Sequence, residues 1–481
     1  MMRRPIRLVV AILATIALLA SVGCSAEQAS ERSKQDIPLR IGVLFDPTDV
    51  AMDPVRATDA ASQSFVYNTF QRLMTTETGT GLLKADAAAE CTFIDEITYS
   101  CSLNTNMTFT NGNRLTASDV KFSIERAQHL AAPGTAAAFF DTLDKVLLVD
   151  EDRVDFKLKH PDNQFGHLLA SPAASIVDEE VYSPTKVRAN SQPPVGSGPV
   201  QLHRKGDKEI QYWANLDYRG RGPAQTFTQV VKQYDSAEDL AAAAQAGEVD
   251  VVWDAASVPR VPQGFHEDRL EHGQVEWLRW NPESELRERD DLRHYVRDAV
   301  QPVRSLLSLL PEDVDTARPV FEQGAREPKT PQAAQVMLWH DDMPAQKKQA
   351  ETVAELLRSN SAVTVTLTTN QTEADLFLEQ PSPWLRTPLG YLQPYLEDPL
   401  PGTEDRNAEA VTAMREAFTQ PLKQEASTRL QEYARDDATV VPLTVEDQRL
   451  YLGPTVELSR ENEMNNYLAP GSQLGVWGFS L

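Results

Sequence analysis

The sequence is poor in the residues from which many active sites are built. It contains 8 histidines, 3 cysteines and 22 glycines in 481 residues, and the histidines form no cluster with metal-ligand spacing. The glycines form no phosphate-binding loop of the Gly-x-x-x-x-Gly-Lys type. Basic residues are outnumbered by acidic ones, 46 against 70, which leaves a formal net charge of −24. Because Lys and Arg bind nucleic-acid phosphates, a chain this acidic is not expected to have a nucleic-acid partner. From the lack of metal-ligand spacing and of a phosphate-binding loop we also expect no metal or other cofactor.

Two short motifs suggest hydrolases but do not meet their requirements. Gly196-Ser197-Gly198 lies among prolines and lacks the Gly-x-Ser-x-Gly pattern of a nucleophile elbow. His266 is followed by Glu267, but the next histidine is His272, too far along the chain for a helical zinc motif. The sequence therefore predicts a protein that is not an enzyme.

A single long apolar run is present, and it lies at the N-terminus. A short arginine-containing stretch precedes the uncharged run at 8–22, and small residues lead up to Cys24. This order predicts a signal peptide over 1–23, and the cysteine predicts a lipid on Cys24 that holds the protein at the outer face of the cell membrane. Residues 24–36 are then the lipidated N-terminus and a flexible polar linker. Plain secretion and an uncleaved anchor stay open, since Ser21 stands where a lipobox usually has Leu.

The two remaining cysteines predict a structural disulfide. Cys91 and Cys101 lie in two β-prone segments that flank a polar turn at Asp95-Glu96. Folding back about that turn brings the two sulfurs opposite each other. The alternative, a metal or redox pair, requires closer spacing or nearby histidines.

The pattern along the chain predicts an α/β protein with two lobes. A strand at 335–339, an amphipathic helix at 345–358 and a strand at 363–367 form a β-α-β unit, which requires a parallel pair of strands. A separate set of elements precedes it, in which the pattern predicts strands at 39–45, 107–109 and 275–280 and helices at 60–73 and 291–309. With 481 residues the chain is too long for one hydrophobic core.

One stretch resembles the signature of a known family. At 109–123 a β-prone segment ends in Asn111-Gly112, and a helix start follows at Thr116-Ala117-Ser118-Asp119. This stretch is similar to that of the family 5 extracellular solute-binding proteins of ABC importers (oligopeptide, dipeptide and nickel types). Further similar motifs occur in the family's order: Met52-Asp53-Pro54, Gly196-Ser197-Gly198-Pro199, Asn215-Leu216-Asp217-Tyr218, Ala246-Gly247-Glu248-Val249-Asp250 and the helix at 291–299.

The resemblance implies a two-lobed periplasmic-binding-protein-like fold with an extra subdomain inserted in lobe I. It implies capture of a peptide or similar small solute between the lobes and delivery to permease and ATPase subunits by a monomer. A solute-sensing or scaffolding lipoprotein without a transport role is the alternative. The implied divisions are lobe I at 37–56, 166–272 and 451–481, the subdomain at 57–165, and lobe II at 273–450.

The resemblance also nominates residues for the ligand site. The loop after the first strand lines the cleft in the family, and strand ends near the crossover are further candidates. Peptide binders of the family hold the ligand's α-ammonium with a lobe II aspartate, which this sequence lacks. Glu379 or Trp384 is the implied substitute, and core packing is the alternative role for each tryptophan. The candidates are Asp46, Pro47, Thr48, Trp253, Asp254, Trp280, Asn281, Glu379 and Trp384.

Overall fold

The computed structural model describes most of the chain after the N-terminal region. The described residues are 38–76, 83–130, 136–220, 228–253, 255–303, 305–306, 327–380, 387–458 and 479–480. The predicted signal peptide, Cys24, the linker at 24–36, Asp254 and Trp384 lie outside them. In the part of the chain that the structure describes, no helix has both the length and the apolar character needed to span a bilayer.

The described residues contain both strands and helices, in places several of one kind in succession. The strands are β1 (Leu39–Val43), β2 (Met74–Thr76), β3 (Leu83–Ala85), β4 (Ala88–Asp95), β5 (Thr98–Leu103), β6 (Leu143–Asp150), β7 (Arg153–Leu158), β8 (Val200–Lys205), β9 (Glu209–Ala214), β10 (Gln229–Gln233), β11 (Val251–Val252), β12 (His266–Trp280), β13 (Ser305–Leu306), β14 (Ala334–Trp339), β15 (Val363–Thr368), β16 (Leu376–Glu379), β17 (Val440–Leu452), β18 (Glu457–Leu458) and β19 (Phe479–Ser480). The helices are α1 (Ala60–Thr69), α2 (Ala117–His129), α3 (Phe165–Leu168), α4 (Ala237–Gln245), α5 (Asp290–Ala299), α6 (Pro344–Leu357), α7 (Pro388–Tyr391), α8 (Gln393–Glu397), α9 (Glu404–Glu416) and α10 (Gln420–Asp437).

One sheet runs through both lobes. Its strand order is β15-β14-β16-β12-β17-β11-β1-β10-β9-β8, and β13 pairs with β17. The long strands β12 and β17 are antiparallel to each other, and they carry the chain between the lobes. Their register shifts between Leu270 and Gln274 and again between Glu276 and Trp277. Such register shifts mark irregular pairing, which bends a strand locally.

Each lobe has its own hydrophobic core. In lobe I, β1, β10 and β11 are parallel, and Ile41, Val231 and Val251 from these strands are fully buried in one cluster. In lobe II, β14 and β15 are parallel and α6 connects them, which confirms the predicted β-α-β unit. Leu338 and Val353 are fully buried in the lobe II cluster. The fold is the predicted two-lobed α/β fold.

The inserted subdomain is built on a second sheet, in the order β4-β5-β7-β6. Cys91 lies opposite Cys101 in the β4–β5 hairpin, and the two form a disulfide, as predicted. Helix α2 covers this sheet, and Val120 and Ile124 lie in its core.

Helix α2, which begins within the stretch at 109–123, starts where its sequence predicts. The carboxylate of Asp119 accepts hydrogen bonds from the backbone N–H and the hydroxyl of Thr116, both at 2.9 Å. This places a negative charge in the first helical turn, where it interacts favourably with the positive end of the helix dipole. The preceding turn requires Gly112, whose φ is 92°.

Several predicted elements differ from the structure. The helix predicted at 60–73 ends at Thr69, because the carbonyl of Thr69 accepts from Gly198 N–H instead of continuing the helix. A Cβ on Gly198 would lie 2.5 Å from the Thr69 carbonyl carbon, so the close approach requires glycine. The helix predicted at 291–309 ends at Ala299, before a short 3₁₀ turn.

Two strand predictions also need correction. The strand predicted at 107–109 is reduced to a single bridge between Thr108 and Arg114. Strand β12 begins at His266, whereas the sequence predicted it only from Val275. The first half of β12 is highly charged and shows no alternation of apolar and polar residues, so the local sequence does not indicate a strand. It is a strand because it pairs with β17.

Candidate functional site

The sheet register places the carboxyl ends of the parallel strands of the two lobes face to face. Strand β17 runs from lobe II to lobe I and is antiparallel to β11, so β11 points toward lobe II. Strand β12 runs the other way and is antiparallel to β16, so β16 points toward lobe I. In open α/β sheets ligands bind beyond the carboxyl ends of strands. The candidate site is therefore the region between the lobes, beside the crossing strands.

The loop after β1 forms the lobe I side of this site. The carboxylate of Asp46 accepts hydrogen bonds from the backbone N–H and the hydroxyl of Thr48, at 2.8 and 2.7 Å. Partial burial opposes ionisation, but the bonds from Thr48 outweigh it and hold the pKa of Asp46 below its ordinary value. Asp46 is exposed, while Pro47 is buried beneath the turn. The loop thus presents a preorganised negative charge at the end of the parallel strands.

The second lobe I candidate lies deeper. Trp253 follows β11 directly, is 3% exposed and packs in the lobe I core. Its backbone N–H donates to the carbonyl of Gly42 at 3.0 Å, which continues the pairing of β11 with β1. Core packing accounts for this side chain, and a contact between Trp253 and ligand stays a prediction.

On the lobe II side, Glu379 ends β16 and is held by a fixed set of donors. Arg279 of β12 approaches it side-on, with Nη2 at 2.6 Å from Oε1 and Nε at 2.9 Å from Oε2. The indole N–H of Trp277 donates to Oε2 at 3.0 Å. Both groups of the ion pair are about one-quarter exposed. An arginine in this bidentate geometry neutralises the carboxylate, so the Arg279–Glu379 pair presents little net charge to a bound ligand.

Two aromatic residues extend this lobe II cluster. The guanidinium of Arg279 lies 4.8 Å from the ring centroid of Phe377, and the Phe377 ring lies 6.0 Å from that of Trp339 in an edge-on arrangement. Trp339 is the last residue of β14, and its indole N–H donates to the Thr369 carbonyl at 3.1 Å. The sequence reasoning missed all three residues. A usable signal was present, because Trp339 ends a strand of the predicted parallel pair.

Trp280 and Asn281 lie at the other edge of the lobe II sheet. Trp280 pairs with Leu376, the first residue of β16, and is 1% exposed in the lobe II core. Asn281 donates its side-chain amide to the Ala374 carbonyl at 2.7 Å. The register therefore places both residues at the amino end of β16, away from lobe I. They have structural roles there, and a ligand contact by either is an untested prediction.

A separate cavity of about 630 Å³ adjoins the stretch at 109–123 that resembles the family signature. Phe109, Asn111 and Trp213 contribute to its lining, beside the edge strand β8 and its neighbour β9. It is not at the carboxyl ends of the parallel strands. Among the described residues, no group of three or more His, Cys, Asp or Glu side chains is arranged to hold a metal ion.

Comparison with known proteins supports the reading of the fold. Residues 85–286 match the model of the bacterial extracellular solute-binding proteins, family 5 Middle. Glutathione-binding protein GsiB of Shigella flexneri is 27% identical over 190 residues, which are 39% of this chain and 34% of that protein. The GsiB of Pectobacterium atrosepticum is 27% identical over 168 residues, 35% of this chain and 32% of that protein. The matches thus span about a third of the length of these relatives.

Solved structures match over nearly the whole chain. The DppA binding protein of Helicobacter pylori, in complex with the peptide STSA, has a TM-score of 0.72 at 16% identity and covers 94% of this chain and 99% of its own. The oligopeptide-binding protein AppA of Bacillus subtilis, in complex with a nonapeptide, has a TM-score of 0.71 at 15% identity, covering 93% and 99%. NikZ of Campylobacter jejuni, in complex with Ni(L-His), has a TM-score of 0.70 at 15% identity, covering 92% and 99%. These are binding proteins, and the likeness is one of fold.

Proposed function

We propose that this chain is a member of the family 5 extracellular solute-binding proteins, and that it captures a peptide or similar small solute between its lobes for an ABC importer. The observation that carries the proposal is the register of β11, β12, β16 and β17, which turns the carboxyl ends of both sets of parallel strands toward each other. A ligand in that region touches both lobes only when they are closed. Its differential affinity for the closed state then drives closure.

The charges at the site favour recognition of a cationic group by lobe I. Asp46 is exposed, and its lowered pKa keeps it ionised near neutral pH. Glu379 is already neutralised by Arg279. We therefore assign the α-ammonium of a peptide to Asp46, and the apolar part of the ligand to the face of Trp339 and Phe377.

Identification of the bound solute tests the proposal most directly. The full-length protein is purified from its native host and any co-purified ligand is identified by mass spectrometry. In parallel, a tripeptide library and glutathione, the compound in the relatives' names, are screened by thermal shift. We expect a peptide-like compound and a rise in Tm that grows with its concentration. No bound ligand together with no shift across the library would sink the peptide proposal.

Two variants then distinguish the carboxylates. Asp46→Asn is expected to weaken binding of the identified peptide by about 10-fold or more, because it removes one charge-assisted contact. Asp49→Asn, in the same loop and also exposed, is the matched control and should bind as the wild type does. Loss of binding in the control, or full binding by Asp46→Asn, contradicts the assignment of Asp46.

We also propose that the mature protein is held at the membrane by a lipid on Cys24, as a monomer within reach of the permease. Cys24→Ala should move the protein from the membrane fraction to the soluble extracytoplasmic fraction. Retention in the membrane indicates an uncleaved anchor instead. Uptake of the identified solute should also stop when the gene is deleted. Unchanged uptake favours a sensing or scaffolding lipoprotein over a transport receptor.

A further inference from the structure

The inserted subdomain touches lobe II at a place remote in sequence from the crossing strands. On the subdomain the contact consists of Phe93, Asp141, Asp162 and Asn163. On lobe II it consists of Met414, Arg415, Ala417 and Phe418 at the junction of α9 and α10. We call this contact the interlobe latch.

Asn163 caps the carboxyl end of α9 from across the interface. Its side-chain amide donates to the carbonyl of Met414 at 2.7 Å and also to that of Ala417, and its backbone N–H donates to the carbonyl of Arg415 at 2.8 Å. The last carbonyls of a helix have no partner within the helix. Here the other lobe supplies partners to three carbonyls, of which that of Met414 also accepts locally, from the N–H of Ala417 at 3.4 Å. Separation of the lobes therefore breaks three hydrogen bonds at this helix end.

Arg415 adds charge to the same contact. Its Nη1 donates to Oδ2 of Asp141 at 3.0 Å, and its Nε lies 3.9 Å from Oδ2 of Asp162. The side chain of Arg415 is 9% exposed and that of Asp162 is fully buried. Asp162 is fixed by Thr142, whose hydroxyl donates to Oδ2 at 2.8 Å. The arginine of one lobe thus fits a preformed acidic recess in the other.

An aromatic pair completes the latch. The rings of Phe93 and Phe418 meet edge to face, with centroids 5.4 Å apart. Phe93 is itself supported by Tyr99 at 4.7 Å. Phe418 remains 42% exposed, although it is a large apolar residue. Its position over Phe93 gives this exposed ring a partner that it has only while the lobes are together.

We propose that the interlobe latch favours the closed arrangement of the lobes before any ligand binds, and so sets the affinity for every ligand by the same factor. The proposal rests on the proposed function, since it assumes hinge motion about β12 and β17. It concerns the free protein, however, and needs no knowledge of the solute. Apparent affinity scales with the fraction of molecules in the binding-competent state.

The test measures the distance between the lobes in ligand-free, full-length protein. Asp144 and Gln424, exposed residues that flank the latch on the subdomain and on α10, are replaced by cysteine and spin-labelled in a Cys24→Ala background. Cys91 and Cys101 stay in their disulfide and do not react with the label. Electron–electron double resonance then gives the distance distribution for the wild-type latch and for latch variants.

Two latch variants are compared with one control. Arg415→Gln removes the cation, and Asn163→Asp keeps the size of the side chain but replaces the donating amide with a carboxylate that faces the negative end of α9. Arg429→Gln is the control. Arg429 pairs with Glu425 at 2.9 Å within α10, so this substitution removes the same charge as Arg415→Gln but breaks no contact across the interface.

We expect longer distances in both latch variants and the wild-type distribution in the control. For the ligands identified above, the dissociation constants of the latch variants should rise by a common factor, on the order of 10-fold. A wild-type distance distribution in Asn163→Asp overturns the proposal, as does a longer distance in Arg429→Gln. If Arg415→Gln does not fold, Phe418→Ala replaces it and should shift the distribution in the same direction. Failure to find a ligand contradicts the proposed function and leaves the distance result decisive for the latch.

Discussion

The two lobes meet at two junctions of different chemistry. At the crossing, β12 and β17 pair over most of their length through backbone hydrogen bonds, and Leu278 and Val441 are fully buried there. At the interlobe latch, side chains supply most of the contact: the Arg415 ion pairs, the Asn163 cap and one aromatic pair. The first junction is a continuous part of the sheet, whereas on our proposal the second separates and re-forms. A hinge at one side and a reversible contact at the other are what lobe closure requires.

The largest effect is expected from breaking the crossing. Leu278 lies opposite both Leu378 and Val441, so Leu278→Pro removes a donor from a strand that is paired on both sides. The free energy of unfolding should fall by at least about 3 kcal/mol. Urea unfolding followed by circular dichroism measures it, with Leu278→Val as the control, for which a loss under about 1.5 kcal/mol is expected. A similar loss in both variants would show that the strand pairing is not what matters.

The next effect concerns the support of the latch. The Cys91–Cys101 disulfide lies in the hairpin that carries Phe93, so replacing both cysteines with serine loosens the subdomain behind the latch. The free energy of unfolding should fall by about 2–3 kcal/mol. Hydrogen exchange should accelerate in β4 and β5 and remain unchanged in β12 and β17. Equal acceleration in all four strands would contradict the independence of the two junctions.

A smaller effect is expected from the aromatic pair alone. A double-mutant cycle with Phe93→Ala and Phe418→Ala should give a coupling energy of about 0.5–1.5 kcal/mol, because the rings contact each other across the interface. Leu422→Ala in place of Phe418→Ala is the control, since Leu422 is similarly exposed and lies four residues further along the chain, in the first turn of α10. A coupling energy of zero for the phenylalanine pair would remove it from the latch.

The smallest effect is a pH dependence that arises in the latch. Burial raises the pKa of Asp162 above its ordinary value of 3.8, although Arg415 and Thr142 act against the rise. Just above that value the folded state therefore binds more protons than the unfolded state, and the contribution of Asp162 to stability falls as the pH rises through its folded pKa. The Tm of the wild type relative to Asp162→Asn should accordingly decrease as the pH rises above the ordinary aspartate value of 3.8.

The control for this titration is Asp144→Asn, which replaces an exposed aspartate of β6. Its Tm should follow that of the wild type across the same range. A difference between wild type and Asp162→Asn that is constant with pH would contradict the assignment of the effect to Asp162.

The elements that were predicted correctly are those with a recognisable local sequence pattern. The β1 strand, the hairpin that pairs Cys91 with Cys101, the helix that begins after Thr116 and the β14-α6-β15 unit all follow from alternation, capping or helical period. The first half of β12 has no such pattern, and the sequence reasoning did not identify β17, α9 or α10. Of the candidate site, the loop at Asp46 and the strand end at Glu379 were nominated from the sequence. Arg279, Trp339 and Phe377 were missed because only the register of β12, β14 and β16 brings them together.

The sequence by itself therefore determined the fold class, the disulfide and the family resemblance, because these depend on short-range pattern and on motifs in a fixed order. The tertiary structure decided which strands cross between the lobes, that Arg279 neutralises Glu379, and that Asn163 caps a helix some 250 positions away. These contacts join residues whose own neighbours in sequence give no sign of the partner. Their free energy comes from desolvated hydrogen bonds and ion pairs that exist only once the lobes have folded and met.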